Sequence, residues 1–556
     1  MSFLAKFNYL FRKYPLLRLA LLLVSVLIIF IAFVYLFTLE ENEPLIIDIH
    51  PSVGEAGDVM TITGQHFGKK TAGSSVIIGG IRITTSSYLE WTDDTIKIVL
   101  PFNIADGLVY VENRKGVSSP SVFANKKSVP VPVIHDVNAS LPVINSVDVL
   151  YNTIGGLVTI EGANFGTFRE NSKVLFAKYD SNAVNKKSLI ECSTFDKDYQ
   201  FWSDNKIKVR IPEGAISGNI YIKTNEGTSD SHSINLFVNV GSKSTGNKRT
   251  YVIDVNADIT DFQAEEHASL NLFIPKPVES FYQTGIQFLS SSSIPESSFY
   301  NTYVQRLSSE DVITNKNVFE HSFSVDVYST ETTVKESAVR KYSDEVLVYY
   351  NDYLKSDIIV PSDDESIVEC SAKIVGKTKN PYTKAKLIYN WVLENIKIED
   401  TLHAADDSVV DVLKSKKADA YEITMLYSAL LRACGIPTVP NAGILLDSKL
   451  VSSNHWWTEF YIEGIGWIPV DIALAAGLQY DSFHPIVDKE EYYFGNLEGQ
   501  HICFSRGLNR LGQTPFTGKK VYRPKTYALQ TIWEESTEEV KKYSSYWQNA
   551  SVLGVY

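Results

Sequence analysis

The chain is poor in cysteine and in positive charge, and each shortage excludes something. Four cysteines (Cys192, Cys370, Cys434, Cys503) in 556 residues are too few for a disulfide scaffold. None stands in a C-x-x-C pair, so structural zinc is not expected. Lys+Arg 52 against Asp+Glu 65 leaves a net charge of −13, opposite in sign to a nucleic-acid binder's basic footprint. No nucleic-acid partner is expected. With 31 Gly and 20 Pro, the composition is neither collagen-like nor low-complexity. No cofactor motif is present, and no cofactor is expected. What remains is an acidic chain with 31 Tyr, a bias that suits β structure, and at about 150 residues per domain it holds three to four domains.

Long apolar runs are also scarce, with one exception. Leu19 to Phe37 carries no charge over 19 residues, enough for a helix of about 28 Å that crosses a bilayer core. Lys6, Arg12, Lys13 and Arg18 precede it, and Glu40, Glu41 and Glu43 follow. That asymmetry predicts a single-pass transmembrane helix at 19–39 in the cytoplasmic membrane, with residues 1–18 cytoplasmic and the bulk of the chain periplasmic or extracellular. A cleaved signal peptide would have a shorter apolar core ending in small residues, unlike Tyr35-Leu36-Phe37.

An internal repeat follows. Val59-Met60-Thr61-Ile62-Thr63-Gly64-Gln65-His66-Phe67-Gly68 has its counterpart in Val158-Thr159-Ile160-Glu161-Gly162-Ala163-Asn164-Phe165-Gly166. Trp91-Thr92-Asp93-Asp94 runs through Ile96, Ile98 and Leu100 to Pro101, and Trp202-Ser203-Asp204-Asn205 through Ile207, Val209 and Ile211 to Pro212. The period-two apolar pattern between turn signals predicts two β-sandwiches, at 44–125 and 143–239. His66 in the strand-end motif reads as a loop or packing residue. The two units resemble the IPT/TIG immunoglobulin-like family, whose modules serve as binding domains or spacers, and a spacer role is expected here. Lys126 to Leu141, with Pro130 and Pro132, reads as a stiff connection, and Gly241 to Arg249 as a flexible linker.

Residues 250–375 read as a β-rich extension, with strands at Tyr251–Val255 and Ser322–Val327 and a loop at Ser290–Ser293. Beyond it, Asn380-Pro381 opens a helix. Asp419-Ala420-Tyr421-Glu422 carries a capping pattern and opens a second, ended by Gly435-Ile436-Pro437. Two strands then bring His455-Trp456-Trp457-Thr458-Glu459 opposite Gly466-Trp467-Ile468-Pro469-Val470-Asp471 through a turn at Glu463–Gly466. This pairing places Asp471 within side-chain reach of His455.

Ser428 to Pro437 (S-A-L-L-R-A-C-G-I-P), His455-x-Trp457-x-Glu459 and Gly466-Trp467-x-x-Val470-Asp471, in this order, resemble the bacterial transglutaminase-like superfamily. The resemblance implies a papain-like α+β core at 376–515 with a Cys-His-Asp triad, followed by a tail at 516–556. His455 matches the base and Asp471 its orienting acid. The nucleophile's place, twelve residues before Arg432, is held by Ala420. A thiol in the first turn of a helix has its pKa lowered by the helix dipole, which is why a cysteine belongs there.

Cys434 lies 14 residues further along the same helix, about 21 Å away, and reads as a structural thiol. Thr424, one turn from Ala420, has no glycine-rich elbow to present it. The expectation is a multidomain, membrane-anchored pseudoenzyme whose groove, flanked by Trp456, Trp457 and Trp467, binds a peptide, protein or cell-wall ligand. A working peptidase, amidase or acyltransferase with another nucleophile or water, and an Ig-like structural scaffold, are the alternatives.

Overall fold

The computed structural model describes residues 43–556, apart from 72, 127–140, 150–152, 180–186, 194–195, 238–239, 296, 300, 310–315, 405–407 and 512–516. Of residues 1–42 it describes only 13–14, 16, 23–28 and 30. Among the described residues no helix is long and apolar enough to cross a membrane. Residues 23–28 are helical and exposed, but most of the expected transmembrane run lies outside the described residues, as does the proline-bearing connection.

The repeat motifs prove to be two halves of one clasp. In the first Ig-like unit, Trp91 Nε1 donates to Gly68 O at 3.1 Å and Gly68 N–H donates to Asp93 Oδ1 at 2.9 Å. In the second, Trp202 Nε1 donates to Gly166 O at 3.2 Å and Gly166 N–H to Asp204 Oδ1 at 3.0 Å. His66 and Asn164 occupy the same turn position with φ of 62° and 63°, which explains a short polar residue before each Phe-Gly pair. Strand 59–65 lies between 45–50 and 95–99, and strand 157–163 lies likewise between 143–149 and 206–210. Ile62 and Ile160 point into the two cores.

The region after the second unit departs from the sequence reading. Gly241–Arg249 is no flexible linker. It begins a 24-residue strand, β1 (Gly241–Ala264), antiparallel to β2 (Lys316–Val334) from Gly241↔Val334 to Thr260↔Lys316. Its small polar residues carry no signature of a strand, because β2 supplies the backbone partners. Tyr251, Ile253, Val255, Ala257 and Ile259 alternate into the core. The residues after 515 are no tail either. Glu534–Ser536 pairs with Ser269–Pro275, and Val540–Trp547 and Ser551–Val555 both pair with β1. Extension and C-terminal segment thus form one β-rich body, and Ser290–Ser291 extend one of its strands instead of lying in a loop.

Against this body lies the α+β core. Helix α1 (Pro381–Asn395) is capped by Asn380, whose side chain accepts from the Tyr382 and Thr383 N–H groups. Helix α2 (Ala420–Ala433) is buried over its length, which is why its sequence is apolar on nearly every side. It packs on a four-stranded antiparallel sheet ordered 466–470, 452–462, 438–446 and 501–506. The opposite face of that sheet sends Ile444, Leu446, Ile502 and Phe504 into the β-rich body.

The second Ig-like unit is bolted to the core by buried ions. Arg506 Nη2 sits 2.9 Å from Glu459 of the H-x-W-x-E motif, while its Nη1 sits 2.8 Å from Asp196 of the Ig-like unit. Lys243 joins Glu213 to the Trp467 carbonyl. Burial pushes the Glu213 carboxyl up to about 7, against the pull of Lys243. The unit is therefore more than a spacer on a loose tether. Arg506→Gln would strand two carboxylates, one fully buried. An unfolding free energy lower by about 3–5 kcal/mol is expected, read from the urea midpoint. A change below about 1 kcal/mol would show that the pairs do not clamp the two parts together.

Candidate functional site

Helix α2 begins at Ala420, and every group around that start is spoken for. Asp419 is the N-cap: its Oδ1 accepts the Glu422 N–H at 2.8 Å, and Glu422 Oε2 accepts the Asp419 N–H at 3.1 Å. Lys525, from the C-terminal segment, reaches Asp419 Oδ2 at 2.7 Å and Glu422 Oε1 at 2.8 Å. Burial opposes the charge on Lys525, but the two carboxylates outweigh it and raise its pKa. His403 closes the ring, with Nδ1 2.7 Å from Glu422 and Nε2 2.9 Å from Glu399. Ala420 itself is buried.

The histidine–acid pair is close and fully enclosed. His455, on the strand Ser452–Ile462, places Nε2 2.6 Å from Asp471 Oδ2. The hairpin register pairs Thr458 with Val470, which brings Asp471 level with the histidine's neighbours. Asp471 also caps a short helix, its Oδ1 accepting the Leu474 N–H at 3.0 Å. A residue not singled out from the sequence completes the group. His501, at the start of the strand His501–Arg506, puts its Nε2 2.8 Å from the same Asp471 oxygen. Its Nδ1 lies 3.4 Å from Glu498 Oε1, which accepts from Tyr480 OH at 2.9 Å. The only sign of it in the sequence was a histidine opening an apolar run, His501-Ile502-Cys503-Phe504.

Burial alone would raise the Asp471 carboxyl, but His455 and His501 hold it well below the usual carboxylate range. Burial alone would likewise lower the His501 imidazole, and Glu498 and Asp471 hold it above its ordinary value.

Among the described residues, two triads place ligand atoms close enough to hold a cation: His455, Asp471 and His501, and His403, Asp419 and Glu422. The first is satisfied internally, both imidazoles bonding one carboxylate oxygen, and in the second the Lys525 ammonium already bridges the acids. Neither donor set therefore requires a metal.

The other candidates fall away on geometry. Thr424 Oγ1 lies 2.7 Å from the Ala420 carbonyl and 3.1 Å from the Trp456 carbonyl, so its proton is engaged with backbone. The Cys434 thiol is pushed up to about 11 by burial, and burial also raises Cys192, Cys370 and Cys503. No described cysteine is an activated thiol.

Trp456, Trp457 and Trp467 are not groove walls. Both faces of the central sheet are covered, by helix α2 and by the β-rich body, so these rings are core. Trp457 Nε1 donates to Tyr282 OH at 2.9 Å, Trp456 stands edge-on to Tyr421, and Trp467 sits among Tyr350, Tyr353 and Tyr461.

Helix α2 packed on the antiparallel sheet that carries a histidine–aspartate pair fits a transglutaminase-like core. In agreement, residues 368–472 match the transglutaminase-like superfamily, and residues 44–124 and 142–251 match the IPT/TIG domain. The chain carries one transglutaminase-like domain behind two IPT/TIG domains. An uncharacterized protein of Haemophilus influenzae is 30% identical, over 28% of this chain and 49% of that protein. A cyclomaltodextrin glucanotransferase of Paenibacillus macerans is 34% identical over 16% of this chain and 12% of the enzyme. The chain thus spans about half the length of the first relative and far less of the second. The periplasmic domain of TgpA from Pseudomonas aeruginosa aligns over 54% of this chain and 86% of its own at 12% identity. Its TM-score of 0.24 is too low to speak to function.

The raised His501 makes the site pH-sensitive in a defined direction. Its contribution to stability is complete below the unfolded-chain value of about 6.5 and is lost as pH rises through the higher folded-state value. The depressed Asp471 contributes above the ordinary carboxylate value of about 3.9 and loses its share only in strong acid. Unfolding free energy should therefore decline above neutrality by up to about 1.4 kcal/mol per pH unit for this one proton. That slope should shrink in His501→Asn; an unchanged slope would assign the proton to another group.

Proposed function

We propose that this chain is a membrane-anchored, extracytoplasmic pseudoenzyme. On this reading its transglutaminase-like domain engages a peptide, protein or cell-wall polymer without covalent chemistry. One observation carries the reading: the first residue of helix α2, where the superfamily's thiol is expected, is Ala420. The positive end of the helix, which would stabilise a thiolate, is met instead by Asp419 and Glu422 and sealed by Lys525. Loss of the nucleophile from a triad typically costs factors of about 10⁶ in rate, more than the retained His455 and Asp471 recover. Their burial at 1% and 0% exposure leaves no open path to a substrate, which supports a structural use for the pair. The charge-free run from Leu19 to Phe37, with basic residues before it and acidic ones after, supports the anchor.

Restoring the sulfur tests the assignment. In Ala420→Cys, the new thiol, buried and beside two carboxylates, should be alkylated by iodoacetamide at pH 7 about tenfold more slowly than free cysteine, and His455→Ala should leave that rate unchanged. A thiol alkylated faster than free cysteine, with that advantage lost in His455→Ala, would mean that the site is open and still activates a nucleophile, and would overturn the non-catalytic reading. The unmodified chain should neither hydrolyse nor transamidate a glutamine-containing peptide. Turnover abolished by His455→Ala would instead establish an enzyme that activates water.

A further inference from the structure

Far from the histidine–aspartate pair, a polar cavity of about 410 Å³ opens between the first Ig-like unit and the β-rich body. The Ig-like unit contributes Lys70, Arg82 and Arg114; the body contributes Arg306, Glu538 and Glu539. Arg82 is neutralised, its Nη2 2.6 Å from Glu112. For Lys70, Arg114 and Arg306, no carboxylate lies within ion-pairing distance among the described residues.

Two of these cations, Lys70 and Arg306, are held in place. Lys70 Nζ stands 4.5 Å from the centroid of the buried Tyr88 ring and 5.0 Å from that of Trp91. Arg306 Nε donates to Ser269 Oγ at 3.0 Å, which fixes the plane of the guanidinium. Gathering like charges in a partly enclosed space is unfavourable unless something of opposite sign joins them. Lys70 shows the strain: burial first, then Arg306 and Arg82, push its ammonium down to about 7.

We propose that this cavity binds a small polyhydroxylated molecule bearing a phosphate or sulfate ester. The oxyanion would sit among Lys70, Arg114 and Arg306, since arginine forks match tetrahedral oxyanions. Glu538 and Glu539 would accept hydrogen bonds from hydroxyls on the rest of the ligand. The volume falls within the range of ordinary small-molecule sites, about 300–1,000 Å³.

The test is calorimetric titration of the full chain with glucose 6-phosphate, glucose 6-sulfate, inorganic phosphate and glucose. At least one ester should bind saturably, inorganic phosphate should compete with it, and glucose should not bind. Affinity for that ester should fall about tenfold or more in Arg306→Gln and, independently, in the exposed Arg114→Gln, with melting temperatures unchanged. Saturable binding of inorganic phosphate with neither ester would overturn the ligand class. Absence of any saturable binding, or ester affinity unaltered in both variants, would overturn the site.

Discussion

A single buried carboxylate organises the centre of this molecule. Asp471 has no contact with water, so its charge must be balanced by protein groups or not exist at all. Two imidazoles on one oxygen and a backbone N–H on the other accomplish that. To supply them, the hairpin 452–470, the strand 501–506 and the short helix after Asp471 must all converge on one point. The arrangement resembles a catalytic pair, yet every hydrogen bond in it is explained by the need to bury a charge.

The same logic governs the joins between the parts. Arg506 reaches both a motif glutamate and the second IPT/TIG domain, and Lys243 spans from that domain to the strand preceding Asp471. Charges removed from water tolerate no displacement of their partners, so these contacts fix the angle between the domains more stringently than apolar packing would. Glu459 therefore has a structural use in this chain, as the anchor of an interdomain cation.

What could be read from the sequence was whatever local chemistry determines. The Trp-x-Asp and Phe-Gly halves of each Ig-like clasp, the Asp419–Glu422 capping box and the Asn380 cap all rest on residues a few positions apart or on a pattern that occurs twice. The pairing of His455 with Asp471 followed from counting along a hairpin. What escaped was set by distant chain. Gly241–Arg249 is a strand because of residues some eighty positions later, and His501 and Lys525 reach their partners only through tertiary folding. The tryptophans looked like groove walls because their motif resembles a catalytic one, whereas helix α2 covers Trp456, the β-rich body covers Trp457 and a tyrosine cluster covers Trp467.

The pairing of β1 with the strand Ser551–Val555 has a consequence for folding. Tyr251 meets Val555 across the sheet, so a loop of some three hundred residues, including the whole transglutaminase-like core, is closed by the strand Ser551–Val555. Contacts of such high order are slow to form, because a long loop must close before any of them is made. Until the strands Val540–Trp547 and Ser551–Val555 dock, β1 offers one unpaired edge to any other chain able to add a strand, so the interval before closure is when the molecule is most open to mispairing.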